Sequence, residues 1–343
     1  MKAAVTGGTG FIGGRLVEEL VSRGHEVTCL VRDTSNVEML KELGVRLVHG
    51  DLGDPDSLKR LPKSADVVFH VAAMVSDWGP REDFFKYNFE ATKTLLSAAA
   101  GSGVKRFIHM SSSTVVWQSD FWSVHDLVDI DETFPYRDKY NDSYNASKAE
   151  AERLVIAYTG TSGLETAVIR PSNVWGAGDT VILPRVAGAA KKGILHPMGS
   201  GKRTVTPCHV DNLARAMILA AQSHDSSGNI YFINDGVKIS YMEFLTKQLR
   251  AAGIEWKPGF SIPYKFAYSV AAVMEALFKL MGSKKPPVLT RFAVAALAGS
   301  RSYSIDKARR QLGYEPSVPL DEGMAKLADW VKLLGGTDEL LKF

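Results

Sequence analysis

The sequence predicts an α/β chain built on a doubly wound parallel sheet, with a smaller part added toward the C-terminus. Three observations predict it. Short apolar runs alternate with longer amphipathic stretches throughout the first half. The first of these runs leads through a glycine-rich turn straight into a helical pattern. After Pro171 the alternation stops and loops, helices and short extended pieces take over. With 343 residues, 45% hydrophobic and 23% charged, the chain can fill one large core or two small ones.

The individual elements follow from local pattern. Strands are expected at residues 3–6, 26–31, 46–49, 67–70, 106–110 and 166–170, where aliphatic runs are bounded by turn formers. Helices are expected between them at 13–22, 37–43, 83–101 and 145–159, with a short one near 54–59. In the first helix Leu16, Leu20 and Val21 share one side. Right-handed crossovers then place helices on both faces of one sheet. The second half is expected to hold a strand at 230–233, a helix at 241–252, an extended piece at 302–304 and a helix ending at Gly313. The expected division is a sheet-bearing domain at 1–171 and a smaller region at 172–343, some of whose segments return to the first domain.

The turn after the first strand reads Thr6-Gly7-Gly8-Thr9-Gly10-Phe11-Ile12-Gly13. Gly7 allows a tight turn, Gly10 leaves the backbone open to a pyrophosphate, and Gly13 lets the helix lie close to the sheet. The helix N-terminus offers free N–H groups and partial positive charge to the phosphates. A glycine triplet alone is a weak signal; its place between strand and helix makes this a dinucleotide site, with Gly7, Thr9, Gly10, Phe11, Ile12 and Gly13 as its residues.

Composition narrows the partners. A net charge of +3 without any block of basic residues argues against nucleic acid. Cys29 and Cys208 are the only cysteines; they make neither a disulfide framework nor a metal site, and a reducing compartment fits. The chain enters its first strand at once, so no signal peptide is expected and a cytoplasmic location is. Residues 266–281 are apolar but short, and they carry Glu275 and Lys279, so a spanning helix is not expected. A core or lid helix is the plain reading there; a pocket wall or a helix resting on a membrane surface is the sharper one.

The end of the second strand distinguishes the two nicotinamide dinucleotides. An acidic residue there would take the ribose hydroxyls. Arg32 stands in that place, with Asp33 displaced by one. A guanidinium can clamp a 2′-phosphate at two points, so NADP(H) is preferred and NAD(H) is the alternative. Asp51, followed by Leu52, can accept from an adenine amino group or can cap the next helix. Val71, Ala72 and Ala73 end the fourth strand with side chains that allow close passage of ribose and phosphate.

Tyr144 and Lys148 are four residues apart and share a helix face. A neighbouring ammonium lowers a phenol pKa from its usual value near 10, and the same lysine can reach the nicotinamide ribose. Ser111, Ser112 and Ser113 follow the strand at 106–110, at the carboxyl end where open sheets bind ligands. The expected chemistry is hydride transfer, with Tyr144 handling the proton and a serine orienting the substrate oxygen.

These stretches resemble the extended short-chain dehydrogenase/reductase superfamily, whose Rossmann-type domain carries such a turn and such a Tyr/Lys pair. The resemblance covers nearly the whole chain. It implies Ser112 as the catalytic serine, with Ser113 as the fallback, and Asn88 in Tyr87-Asn88-Phe89-Glu90-Ala91-Thr92 as the asparagine that supports the site through a water. Arg170-Pro171-Ser172-Asn173-Val174-Trp175-Gly176 resembles the segment beside the nicotinamide, which adds Pro171, Asn173 and Val174 to the cofactor residues. His209-Val210-Asp211-Asn212 resembles a structural segment. Within the superfamily the chain looks most like the 3β-hydroxysteroid dehydrogenase and dihydroflavonol reductase branch. Val68-Phe69-His70-Val71-Ala72-Ala73, Ser76-Asp77-Trp78-Gly79 and Pro287-Val288-Leu289-Thr290-Arg291 carry that likeness.

The implied activity is an NADP(H)-dependent interconversion of secondary alcohol and ketone on a largely apolar molecule, steroid-, flavonoid- or lipid-like. Residues 172–343 would mainly bind this substrate, and Trp78, Trp117, Phe121 and Trp122 are expected near it. The alternative is a nucleotide-sugar epimerase with retained cofactor. A homodimer is implied, with Leu95, Leu96, Leu154 and Ile156 as candidate contacts between the helices at 83–101 and 145–159 of two chains.

Overall fold

The structure is a computed structural model that describes residues 1–117, 120–122 and 124–343. The first half alternates as expected. β1 (Lys2–Thr6), α1 (Phe11–Ser22), β2 (Glu26–Val31), α2 (Glu38–Glu42) and β3 (Arg46–His49) are followed by α3 (Pro55–Arg60) and β4 (Val67–His70). α4 (Arg81–Phe84) widens into a π turn at Phe85–Glu90 and continues as α5 (Ala91–Gly101), so one expected helix has three parts. Next come β5 (Arg106–Met110), β6 (Leu127–Ile130), α6 (Ser143–Ala157) and β7 (Glu165–Pro171).

The rest of the chain forms β8 (Asn173–Trp175), α7 (Ile182–Lys191), β9 (Thr204–Val205), β10 (Pro207–His209), α8 (Val210–Gln222) and β11 (Asn229–Ile233). These precede β12 (Ile239–Ser240), α9 (Tyr241–Ala251), α10 (Tyr264–Leu280), α11 (Arg291–Ala298) and β13 (Arg301–Tyr303). α12 (Asp306–Leu312), α13 (Leu320–Leu333) and α14 (Thr337–Leu340) close the chain.

Seven strands pair in the order β3-β2-β1-β4-β5-β7-β11, all parallel. The order reverses beside β1, so helices cover both faces and a crevice opens at the carboxyl ends of β1 and β4. On one face α1, α8 and α12 bury Leu16, Leu20, Leu213, Met217 and Leu312 against the sheet. In α1 the inward residue is Val17, whereas Val21 is only half-buried. On the other face α3, α5 and α6 bury Leu58, Leu95, Leu96 and Val155. Leu95 and Leu96 are therefore corrected as dimer contacts. Both are fully buried in the chain's own core, because that side of α5 faces the sheet and α3. Leu154 and Ile156 are half-buried at the edge of the same core.

The chain crosses between its two parts more than once. β11, α8 and α12, from the second half, belong to the large sheet and its cover. Conversely β6, from the first half, pairs with β13 in a small sheet ordered β12-β9-β13-β6. Trp175, Phe244, Leu249 and Leu327 form a separate core beneath that part. Asn212 ties the two parts together: its carbonyl accepts from the Ser317 and Val318 amides, and its amide donates to Asp235, 2.8 Å away. The His209–Asn212 segment is thus structural. Among the described residues no helix is long and apolar enough to cross a membrane.

Candidate active site

The glycine turn has the shape its spacing predicts. Gly7 has φ +80°, and a Cβ there would stand 2.9 Å from the Ala72 amide nitrogen. A Cβ on Gly13 would fall 2.0 Å from the Gly7 carbonyl oxygen, so only glycine lets α1 close onto the turn. Gly10 is exposed, and the nearest atom to a Cβ there is 3.4 Å away. It caps α1 with no side-chain hydrogen bond, and the first turn of α1 has no acidic residue. The result is an open, unanswered helix N-terminus of the kind that binds a pyrophosphate, so a dinucleotide fits these residues. Thr9 is exposed beside it, Ile12 is half-buried, and the Phe11 ring lies against Gly178.

Thr6 organises the facing wall. Its hydroxyl accepts from the amides of Val71 and Ala72, both at 3.1 Å, and pairs with His70 Nδ1 at 2.9 Å. Val71, Ala72 and Ala73 are thereby held, half-exposed, next to Gly7. At the end of β2 the Arg32 side chain is exposed and makes no hydrogen bond or ion pair among the described residues. Asp33 turns instead to His49, at 2.8 Å. Asp51 accepts from the Gly53 amide at 2.8 Å, and Asp54, not Asp51, caps α3. Leu52 packs against the core under α3 and α5. Pro171 ends β7 buried, whereas Asn173 and Val174 border a small cavity with Asp179, Ile182 and Tyr241, apart from the cleft that holds Tyr144.

Asp142 caps α6 by accepting from the Asn145 amide, which starts the helix just before Tyr144. Tyr144 is half-buried and shares a hydrogen bond with Ser112. Ser112 caps a 3₁₀ turn, Ser113–Val116, and its hydroxyl is 2.8 Å from that of Thr114. Ser113 points elsewhere: it is buried and hydrogen-bonds Tyr303. Lys148 is buried, donates to the Met110 carbonyl and stands 3.5 Å from His109 Nε2. The expected lowering of the Tyr144 phenol is not found. Burial pushes it up to about 12, opposed by the Ser112 bond, because Lys148 spends its hydrogen bond on Met110. Burial brings Lys148 itself down to about 8.

Asn88 lies in the π turn, which sets its side chain inward. Its carbonyl accepts from the Met74 amide at 2.7 Å, and its amide donates to Met74 O at 3.1 Å and to Ser147 Oγ at 3.0 Å. It therefore joins the segment after β4 to α6, one residue before Lys148.

Several site residues escaped the sequence reading. His70 ends β4 and His109 precedes the last residue of β5; their rings lie 5.4 Å apart, tilted by 40°, near Lys148. A polar residue at or next to the end of an apolar strand was their only signal. Glu152, one helical turn beyond Lys148, pairs with Arg170 Nε at 2.9 Å and accepts from Tyr136 at 2.6 Å. Both charges are buried, which fixes α6 to β7.

The two histidines make stability depend on pH. Unfolded imidazoles take a proton near 6.5, but folded His70 does so only near 3, through burial and Lys148, and His109 is held well below 6.5 for the same reasons. Below pH 6.5 the unfolded chain therefore binds more protons, and stability is expected to fall by about 1.4 kcal/mol per pH unit for each ring. Urea unfolding at steps between pH 7 and about 5 reads this loss. His209, lowered by burial to about 4, adds to the loss, and Asp235, raised by burial to about 6, offsets one ring's share below about pH 6, so a flat profile would still mean that His70 and His109 are protonated in the fold.

Tyr144 opens into a cleft of about 110 Å³ bordered by Trp78, Trp117, Arg137, Tyr268 and Phe292. Two stretches that carried the branch likeness meet at its rim. Thr290 donates to Asp77 at 2.7 Å, and the Trp78 indole donates to Ser283 O at 3.0 Å. Trp78 and Trp117 border the cleft as expected; Phe121 and Trp122 do not. Phe121 packs edge-on against Tyr268, and Trp122 is 72% exposed. No metal-binding cluster of His, Cys, Asp or Glu exists among the described residues.

A family model described as the 3-beta hydroxysteroid dehydrogenase/isomerase family matches residues 4–264. A 2-alkyl-3-oxoalkanoate reductase of Stenotrophomonas maltophilia is 33% identical over 332 residues, which cover 95% of this chain and 98% of that protein. A 4-hydroxy-2-methyl-3-oxo-4-farnesyl-3,4-dihydroquinoline-1-oxide ketoreductase of Stigmatella aurantiaca is 34% identical over 328 residues, 95% and 96% of the two chains. A dTDP-glucose 4,6-dehydratase double mutant of Streptomyces venezuelae, solved with NAD bound, matches at a TM-score of 0.74 and 25% identity over 99% of this chain and 100% of that one. Fold, site and relatives define a nicotinamide-dependent oxidoreductase acting on CH–OH groups. Within that class, the chain belongs to the 3-beta hydroxysteroid dehydrogenase/isomerase family.

Proposed function

We propose that the chain is an NADP(H)-dependent reductase that interconverts a ketone and a secondary alcohol on a largely apolar small molecule. The observation that carries this reading is the hydrogen bond between Ser112 and Tyr144, the latter bordering the cleft. The dinucleotide, when bound, supplies or takes the hydride. Ser112 holds the substrate oxygen, and Tyr144 gives that oxygen its proton in reduction and takes it back in oxidation. Lys148 holds the nicotinamide ribose and, once turned from the Met110 carbonyl toward the phenol, brings its pKa down. Asn88 fixes α6 against the segment after β4, and so fixes Lys148. Gly7, Thr9, Gly10, Phe11, Ile12 and Gly13 bind the pyrophosphate. Two relatives act, by name, on a ketone carried by an alkyl chain and on a farnesylated ketone, which supports an apolar substrate here. We further infer a homodimer in which Leu154 and Ile156 of α6 contribute to the contact.

The preference for NADP(H) rests on Arg32, exposed and unpartnered among the described residues, beside an Asp33 already engaged by His49. The test is oxidation of NADPH and of NADH against a panel of ketones by the wild type and by Arg32→Asp. The wild type is expected to favour NADPH. The variant, losing the phosphate clamp and gaining a ribose acceptor, is expected to shift the ratio of catalytic efficiencies toward NADH by about tenfold or more. An unchanged ratio would make Arg32 a bystander.

A further inference from the structure

α10 is apolar on both sides, and among the described residues only one side is covered. Its inner side buries Ala267, Tyr268 and Ala271 against α11, and Tyr268 and Glu275 border the cleft. Its outer side carries Phe266, Val270, Val273, Leu277 and Leu280, spaced as one stripe of a helix. These are exposed to 65%, 38%, 60%, 52% and 85%, an apolar face far beyond the scattered singles of an ordinary surface. Met281 and Val288 extend it, at 67% and 79%.

The surroundings of this stripe name its partner. From Trp256 to Ile305 the only acidic residue is Glu275, and it is buried and paired with Arg291 at 2.7 Å. In the same span Lys257, Lys265, Lys279, Lys284 and Lys285 are all exposed. Cations therefore stand at both ends of the stripe, and residues 256–305 bring no free acid to it; Asp120, beside Trp122 and Tyr264, is the acid that reaches its N-terminal end from another segment. Trp122, with the Lys265 ammonium 5.2 Å from its ring, borders the N-terminal end, where an amphipathic ring suits a headgroup boundary. An apolar stripe rimmed by lysine and tryptophan matches an anionic bilayer surface, with apolar residues among the acyl chains and ammonium groups at the phosphates.

We propose that the outer face of α10 docks on anionic lipid membranes and so sets the cleft behind it at the lipid surface. The proposal goes beyond the reductase reading and is tested without cofactor or ketone. The experiment is cosedimentation of the full chain with vesicles of phosphatidylcholine mixed with phosphatidylglycerol, and with phosphatidylcholine alone, at low and high salt. The wild type is expected to bind the mixed vesicles and to be released by salt. Val273→Glu/Leu277→Glu, which changes only outward side chains, is expected to weaken binding about tenfold or more while keeping the wild-type Tm and circular dichroism. Lys284→Glu/Lys285→Glu leaves α10 untouched and is expected to weaken binding by about tenfold or more through charge alone. Failure of the wild type to bind, or equal binding by the α10 variant, would overturn the proposal. So would sedimentation of the lipid-free wild type as an oligomer that Val273→Glu/Leu277→Glu dissociates, since the face would then be covered by a second copy.

Discussion

Tyr144→Phe is expected to lower turnover by about 10²- to 10⁴-fold while leaving NADPH affinity nearly unchanged. The substitution keeps the ring in its half-buried seat at the start of α6 and removes only the hydroxyl that meets Ser112. If that hydroxyl handles the proton, the loss falls on the chemical step, so kcat and kcat/KM drop together. Lys148→Ala is expected to behave differently. Burial holds the phenol up to about 12 with the Ser112 bond opposing it, so the protein without the lysine loses the charge proposed to bring it down further. Cofactor affinity and the pH profile should therefore both change. Ser112→Ala should cost less than Tyr144→Phe if Ser113 substitutes, but Ser113 is buried against Tyr303, so the structure favours a full loss of substrate orientation. Single-turnover NADPH oxidation beside cofactor binding separates these cases. Near-normal oxidation by Tyr144→Phe would place the proton donor elsewhere.

A second large effect is expected at the glycine turn, with opposite outcomes at two positions. Gly13→Ala puts a methyl 2.0 Å from the Gly7 carbonyl oxygen and 2.5 Å from its carbon, backbone atoms that can yield only by opening the turn. Overpacking of this kind costs about 1–3 kcal/mol or more, so Tm should fall even without cofactor. Gly10→Ala meets nothing closer than 3.4 Å and should leave Tm unchanged. Its methyl would instead stand on the exposed residue that caps α1. There it would block charged hydrogen bonds of about 1.5–3 kcal/mol, so NADPH affinity should drop about 10- to 100-fold. Thermal melts and fluorescence titrations of both variants read the contrast. Wild-type affinity in Gly10→Ala would show that the pyrophosphate lies away from this turn.

What the sequence determined by itself was mostly local. Strand and helix periods, the glycine turn and the pairing of Tyr144 with Lys148 on one helix face are properties of neighbours in the chain. The doubly wound parallel sheet also followed, because right-handed crossovers put helices on both of its faces, whereas the order of its seven strands came from the structure. What only the tertiary structure decided depends on which distant segments meet. Leu95 and Leu96 read as surface contacts in isolation, and only the packing of α5 on the sheet and α3 buries them. Ser112 and Ser113 are equivalent as letters; the 3₁₀ turn at Ser113–Val116 sends one toward Tyr144 and the other toward Tyr303, nearly two hundred residues away in sequence.

The same holds for the charges. No local pattern places His70 and His109 beside Lys148, or Arg170 on Glu152, because each pair joins different elements. Their burial, and with it the shifts of Lys148 to about 8 and of His70 to about 3, arises only once the sheet and α6 exclude water. α10 shows the division within a single helix. Its apolar composition was plain in the sequence, but which side faces the cleft and which faces outward was settled by where α11 packs.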